Sequence, residues 1–423
     1  MGKGLLKIIT AFIFLIYSAE GFGQSSGPLS IELCQEKART NYPLIKQLDL
    51  IDKSAEFSIS NANKAYLPQA SITAIEGYLI SGLPAMAPGA ASENGTFKFI
   101  GIGQINQTIW DGGATRAQKD MIHSRVEVDK ANIEVSLFAI KERVNQLFFG
   151  ILVINEQLKQ QEILKQNLKR NLNRVQLSVD NGLAYTSDVD EVKVELLKID
   201  QRKDEFIYSR KAYLTMLGLM LGETLTENTE LVKPAVSDIS PIVTLNRPEL
   251  SLYNYQQVLA QEQIKQSKAN YMPKIGLLAL GVRLEPGAAF GAGSLQSLSI
   301  VGANLSWNTM GLYRHQNNRD QARLNMVQIQ IQQETFVFNT NLQLAQQSND
   351  IDKQRSILAK DTEIMALRTS IKKAYETKIQ NGVSTVNDLI LAINAESDAA
   401  SNKALHEIQL LLSIYNYKTT SGN

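Results

Sequence analysis

Apolar residues in this chain follow two periods that take turns along its length. From residue 133 to 158, Ile133, Leu137, Ile140, Val144, Leu147, Ile151, Ile154 and Leu158 alternate spacings of four and three, a heptad seam that predicts a long helix packed against other helices. Elsewhere the period is two. Leu278, Leu280, Val282 and Leu284 alternate with Ala279, Gly281 and Arg283, Leu277 being an extra apolar residue on that second side. Val301, Ala303, Leu305 and Trp307 alternate with Gly302, Asn304 and Ser306, and Phe97, Phe99, Ile105 and Ile109 with Lys98, Gln104, Asn106 and Thr108, although Ile100, Ile102 and Gln107 break that phase. These stretches predict two β-hairpins, at about 70–110 and 275–307, with Gly- and Pro-containing loops at 81–96 and 285–294.

The punctuating residues recur at a nearly constant offset, which predicts an internal duplication of about 200 residues. Asn41-Tyr42-Pro43 answers Asn246-Arg247-Pro248, and Ala65-Tyr66-Leu67-Pro68-Gln69 answers Asn270-Tyr271-Met272-Pro273-Lys274, both at an offset of 205. Trp110-Asp111-Gly112-Gly113 answers Trp307-Asn308-Thr309-Met310-Gly311 at 197, and Asn181-Gly182 answers Asn381-Gly382 at 200. Each half then reads as helix, β-hairpin, very long helix, tight turn and helix. The expected organisation is a first repeat over 24–222, a Pro-containing connector over 223–246 and a second repeat over 247–423.

The long helices are expected across the proline-free runs 113–180 and 311–380, and at ~1.5 Å per residue each would reach about 100 Å. The alternating Val327-Gln328-Ile329-Gln330-Ile331 is read as helical because of that setting. Gly150 predicts a bend or a close helix contact. Asn-Gly ends each run, and Thr186 or Ser187, then Ser384 or Thr385, are the expected N-caps of the returning helices.

Lys3 and Lys7 before the apolar run Ile8–Tyr17, with Gly21-Phe22-Gly23 after it, predict a secretory signal peptide over 1–23. The charge balance is neutral, 43 Lys+Arg against 42 Asp+Glu, and carries no nucleic-acid footprint. A single cysteine, Cys34, expected as a buried thiol, and three scattered histidines argue against a disulfide framework and a metal site. No nucleophile elbow, phosphate-cradling loop or full dinucleotide fingerprint occurs, so neither an enzyme nor a cofactor is expected.

No run of 18 apolar residues follows the leader, so entry into a membrane would have to be as β-strands. Four strands cannot close a barrel, and an open edge in lipid leaves N–H and C=O groups unpaired. The membrane reading therefore requires oligomers, and three copies, giving 12 strands, leave a usable lumen where two do not. Tyr66, Trp110, Tyr271 and Trp307 stand at the helix-facing strand ends, where interfacial aromatics belong.

From about residue 29 to 420 the chain resembles the TolC family of outer-membrane efflux channels, through Ala65-Tyr66-Leu67-Pro68, Gln107-Thr108-Ile109-Trp110-Asp111-Gly112-Gly113 and the doubled Asn-Gly turns, each followed six residues after its glycine by Asp188 or Asp388. The resemblance implies a mostly α fold with a small membrane β-part: long coiled helical hairpins plus four strands per chain, forming a 12-stranded barrel in a homotrimer. It implies an outer-membrane location with helices reaching into the periplasm, and passive export as the duct of a tripartite efflux or type I secretion system. The implied partners are outer-membrane lipid, a periplasmic adaptor (membrane fusion) protein and an inner-membrane transporter. Asp188 and Asp388 are then gate and selectivity candidates, equally readable as first-turn helix charges. Where the family often has a second aspartate one turn on, this chain has Leu391, and Glu191 in the first half. Gly182, Leu183, Gly382 and Val383 are the candidates for adaptor contact. The other reading open at this point is a soluble periplasmic coiled-coil scaffold.

Overall fold

A computed structural model describes residues 28–78, 97–236, 244–284 and 297–423. The expected leader, both hairpin loops and part of the connector lie outside the described residues. The elements, in chain order, are α1 (Ile31–Asn41), α2 (Gln47–Asn63), β1 (Gln69–Tyr78), β2 (Phe97–Trp110), α3 (Ala114–Phe138), α4 (Ile140–Asp180), α5 (Thr186–Leu221), α6 (Pro248–Ala269), β3 (Lys274–Leu284), β4 (Ser297–Ser306), α7 (Met310–Gln380) and α8 (Val386–Ser421). Short 3₁₀ turns, Pro43–Lys46 and Lys64–Tyr66, flank α2. The first long helical run is interrupted at Ala139, whereas α7 is one helix of 71 residues and includes the ambiguous stretch around Ile329.

The chain forms two compact units that cut across the two sequence halves. One comprises the described residues up to Tyr42, Ala139–Leu245 and Gln343–Asn423; the other comprises Pro43–Phe138 and Asn246–Leu342. In the first unit, α4 lies between α5 and α8, and its seam is buried from Ile140 to Ile154. Phe148, Phe149 and Ile151 of α4, Leu217 of α5, and Leu411 and Ile414 of α8 are among its fully buried side chains. Asn145, fully buried on α4, accepts from Gln35 Nε2 at 2.6 Å and donates to Thr419 Oγ1 at 3.1 Å, which satisfies a polar group that would otherwise be costly there. Gly150 is a close contact: a Cβ added to it would stand 2.4 Å from the Tyr213 ring of α5. Cys34 is buried on α1. The connector is tied down where Leu29 N–H donates to the Glu230 carbonyl and Val232 N–H to the Leu29 carbonyl, each at 2.9 Å.

In the second unit α3 packs along α6 and also against α2. Arg247, the residue before α6, stacks 4.7 Å from the Phe138 ring centroid and pairs with Glu249. The four strands form one antiparallel sheet in the order β1-β2-β3-β4, so β1 and β4 are its edges. Among the described residues no helix of this unit packs across either face of the sheet.

Candidate functional site

Two regions hold the residues singled out from the sequence: the sheet with its flanking turns, and the two Asn-Gly turns of the other unit. In the sheet, side chains directly opposite one another share a face, so the register sorts them into rows. One face carries Ala70–Ile105–Ala279–Val301, Ile72–Gly103–Gly281–Ser299 and, beyond the bulge at Thr108/Trp110, Trp110–Ile275–Leu305. The other carries Gln69–Asn106–Leu278–Gly302, Ser71–Gln104–Leu280–Ile300 and Thr73–Ile102–Val282–Leu298.

Alternation is broken on some strands, with Ile100 and Ile102 beside Gln104 and Asn106 on β2 and Leu298 and Ile300 on the face of Asn304 on β4, and its phase differs between strands. Leu278, Leu280 and Val282, read from the sequence as the apolar side of β3, share a face with Gln104 and Asn106 and lie opposite the face of Ile105 and Val301. A strand pattern fixes only which residues stand together on that strand; hydrogen-bond register fixes which neighbours join them. Ile109 is the unpaired residue of the bulge, which sets Trp110 beside Ile275. On the first face Ile72 and Val301 are 88% and 85% exposed, while Ile102, Leu278, Leu280 and Val282 on the second are half-buried.

The strand-end aromatics take different roles. Tyr66 donates to Asp111 Oδ1 at 2.9 Å, and Asp111 also accepts from the backbone N–H groups of Gly113 and Thr115, which caps α3. Burial works against ionisation of Asp111, but hydrogen bonds from Thr115, Tyr66 and Gly113 outweigh it and hold its pKa below the ordinary carboxylate value. Trp110 and Trp307 are exposed, and Trp307 Nε1 donates to the Tyr271 carbonyl at 3.0 Å. Tyr271 is only 9% exposed: its hydroxyl joins Ser267 and Asn318, and its ring meets His315 edge-on. Gly311 leaves the space that the ring fills, since a Cβ there would stand 2.4 Å from it.

Both Asn-Gly turns end their helices in the same way. Gly182 and Gly382 adopt left-handed φ of 71° and 70°. Leu183 N–H returns to the Ser178 carbonyl and Gly182 N–H to the Val179 carbonyl, with the same pair of bonds from Val383 to Lys378 and from Gly382 to Ile379. In this motif the residue after the glycine commonly packs back on its helix. Here Leu183 and Val383 instead stand 82% and 74% exposed. Beneath the turns, Leu164, Leu168 and Val175 of α4, Val189 and Val192 of α5, and Leu389 and Ile393 of α8 share one apolar cluster, and Tyr375 and Ile379 of α7 pack on it.

Asp188 and Asp388 sit at the third position of α5 and α8. Asp188 Oδ2 accepts from Tyr185 N–H at 2.9 Å, so the N-cap is Tyr185 and not Thr186 or Ser187. Thr385 caps α8 as expected, in a full capping box in which Thr385 N–H donates to Asp388 Oδ2 at 3.0 Å and Asp388 N–H to Thr385 Oγ1 at 3.2 Å. The Thr385 N–H, with the Thr385 and Ser384 hydroxyls, lowers the Asp388 pKa. Glu191 and Leu391, at equivalent positions one turn on, are both exposed. A further polar set went unread in the sequence. Asp361 of α7 meets His406 Nδ1 of α8 at 2.6 Å, and Lys372 meets Glu396 at 2.5 Å, between the tip cluster and a second cluster of Leu344, Ile351, Leu410 and Ile414. Among the described residues no group of three or more His, Cys, Asp or Glu side chains could hold a metal ion, and no helix is long and apolar enough to cross a membrane.

No protein-family model and no curated protein sequence matches this chain. Solved structures do. The chain is similar to the outer membrane protein VceC of Vibrio cholerae, with 14% identity and a TM-score of 0.64 over 93% of this chain and 96% of that one. It is similar to the Campylobacter jejuni CmeC outer membrane channel (13% identity, TM-score 0.64, 93% and 85%) and to the open state of the Neisseria gonorrhoeae MtrE outer membrane channel (13%, 0.63, 93% and 89%). The chain therefore has the TolC-like fold of these channels over nearly its whole length, with long helical hairpins and a four-stranded antiparallel sheet.

Proposed function

We propose that this chain is one subunit of a homotrimeric outer-membrane channel whose 12-stranded barrel is assembled from three copies of the sheet. Its helices extend into the periplasm, and it acts as the passive export duct of a tripartite efflux or type I secretion system. The supporting observation is the sheet: among the described residues both edges are unpaired and no helix covers its faces, and one face exposes Ile72, Ile105, Leu277, Val301 and Leu305. In water this would be an aggregation site. Antiparallel β1 and β4 allow β4 of one copy to continue the alternation beside β1 of the next, which closes the cylinder and removes every edge. A soluble scaffold offers no comparable cover for that apolar face. The TolC-like fold supports the same reading by analogy.

In this reading the exposed Leu183 and Val383, on the turns made by Gly182 and Gly382, contact a periplasmic adaptor, which couples the duct to an inner-membrane transporter. Asp188 and Asp388 ring the tunnel entrance, six carboxylates in all, with Glu191 adding charge in the first hairpin only, while Oδ2 of each aspartate also closes its helix. Capping and charge placement are compatible because a carboxylate accepts several hydrogen bonds. Tyr66, Trp110, Tyr271 and Trp307 mark the periplasmic boundary of the outer membrane. Purified protein in planar bilayers tests the reading: it predicts large, stable conductance steps with cation preference, reduced when Asp188 and Asp388 are both changed to Ala. A protein recovered in the soluble periplasm without detergent contradicts it.

A further inference from the structure

Along the second face of the sheet, chemistry changes steadily from the helix end toward the loop end. Successive rows on one face lie about 7 Å apart, and the series begins Thr108–Gly276–Asn304 and Gln69–Asn106–Leu278–Gly302. It continues through Ser71–Gln104–Leu280–Ile300 to Thr73–Ile102–Val282–Leu298, with Ile75 beside Ile100 beyond. Polar side chains therefore give way to aliphatic ones within one continuous surface.

The polar rows fix which side this face takes. Gln69, Asn106, Gln104 and Asn304 toward lipid would each leave an amide unsatisfied, whereas the opposite face at the same levels offers Ile105, Leu277, Ala279, Val301 and Leu305, with Gln107 as its one amide. Among the described residues the only register shift, at Thr108/Trp110, lies at the helix end, so no described strand exchanges its faces farther out. The aliphatic rows must then be on the water-filled side as well. On the two central strands Ile102, Leu280 and Val282 are half-buried, while Leu298 and Ile300 on the edge strand are 46% exposed in the single chain. At the level of Ile102 and Val282 the outward face carries Ile72 and Ala74 on β1 with Gly101, Gly103, Gly281, Ser299 and Arg283 on the other strands.

Resting on the channel reading above, we propose that Ile102, Val282 and Leu298, with Leu280 and Ile300 below them, form an aliphatic collar on the lumen wall that transiently binds alkyl-bearing small molecules as they leave. Three copies repeat the collar around the axis. Gln104 and Ser71 in the adjoining row leave a polar rim beside it, suited to a solute with one apolar and one hydrated part.

The experiment is single-channel recording of the full protein with two cations of equal charge, tetramethylammonium and tetrabutylammonium. The collar predicts longer-lived block by the butyl compound from the loop side. In Ile102→Gln, Val282→Gln, Leu298→Gln protein that block falls to the tetramethyl level while conductance in plain salt persists. If the glutamine protein does not assemble, Ile102→Thr with Val282→Thr, which keeps the β-branched shape, is predicted to shorten the block severalfold. Equal block of the native channel by both cations overturns the collar and leaves the channel standing, as does undiminished butyl block in either variant. No conductance at all from the native protein overturns both.

Discussion

Gly150 offers a contest between two effects of opposite sign, and the structure decides it. Its replacement by Ala in the interior of α4 should stabilise an isolated helix by about 1 kcal/mol, because glycine is the poorer helix former. The added methyl, however, would stand 2.4 Å from Cε1 and 2.9 Å from Cδ1 of Tyr213. An overpacked contact of that kind costs about 1–3 kcal/mol, so Gly150→Ala is predicted to be net destabilising by up to about 2 kcal/mol. Thermal unfolding of detergent-solubilised protein followed by circular dichroism reads the effect. In a Tyr213→Leu background the ring is gone, and the same Gly150→Ala change should become neutral or stabilising. The coupling between the two sites, isolated by the double-mutant cycle, is the quantity of interest. A rise in melting temperature on Gly150→Ala with Tyr213 in place would refute the close-contact account.

Three further outcomes follow from buried groups. Asp111 has a native pKa below its unfolded value, so its contribution is fully present above about pH 4 and is lost as pH falls through the native value; amide exchange at Thr115 across that range should show it, and Asp111→Asn should flatten the profile. Asn145→Ala leaves Gln35 and Thr419 without their partner and should destabilise by about 1–3 kcal/mol in chemical unfolding, whereas a change near zero would mean the network carries no weight. Cys34 is buried, and desolvation raises its pKa to about 12, so a thiol reagent at pH 8 should label it only after unfolding; rapid labelling of native protein contradicts that environment.

Much of the architecture was legible because it follows from local rules. The heptad seam became the buried side of α3 and α4 from Ile133 to Ile154, since 3.5-residue spacing leaves an apolar stripe that must be covered. Asn-Gly ended α4 and α7 because left-handed φ at Gly182 and Gly382 admits glycine readily. What failed was non-local. No strand's alternation says whether Leu280 will face the same way as Gln104 or as Ile105; only the pairing of β2 with β3 does. Tyr185 displaced Thr186 as N-cap because Asp188 satisfies the cap from inside the helix, a role visible only once the helix start is known. Tyr271 looked like Tyr66 in its motif, yet Gly311 gives it a buried site. The Asp361–His406 and Lys372–Glu396 pairs could have been suspected from charged residues recurring at seam spacing in α7 and α8, but which partners meet depends on how the two helices align.

The assembly claim is tested most directly at the sheet edges. Single cysteines placed along β1, from Ser71 to Ile75, and along β4, from Ser297 to Val301, in a Cys34→Ala background, would be oxidised in the native membrane and resolved on denaturing gels. The account predicts that some β1–β4 combinations yield a covalent ladder ending at the trimer. Exclusively monomeric products from every combination, in protein that is folded and membrane-embedded, would contradict it.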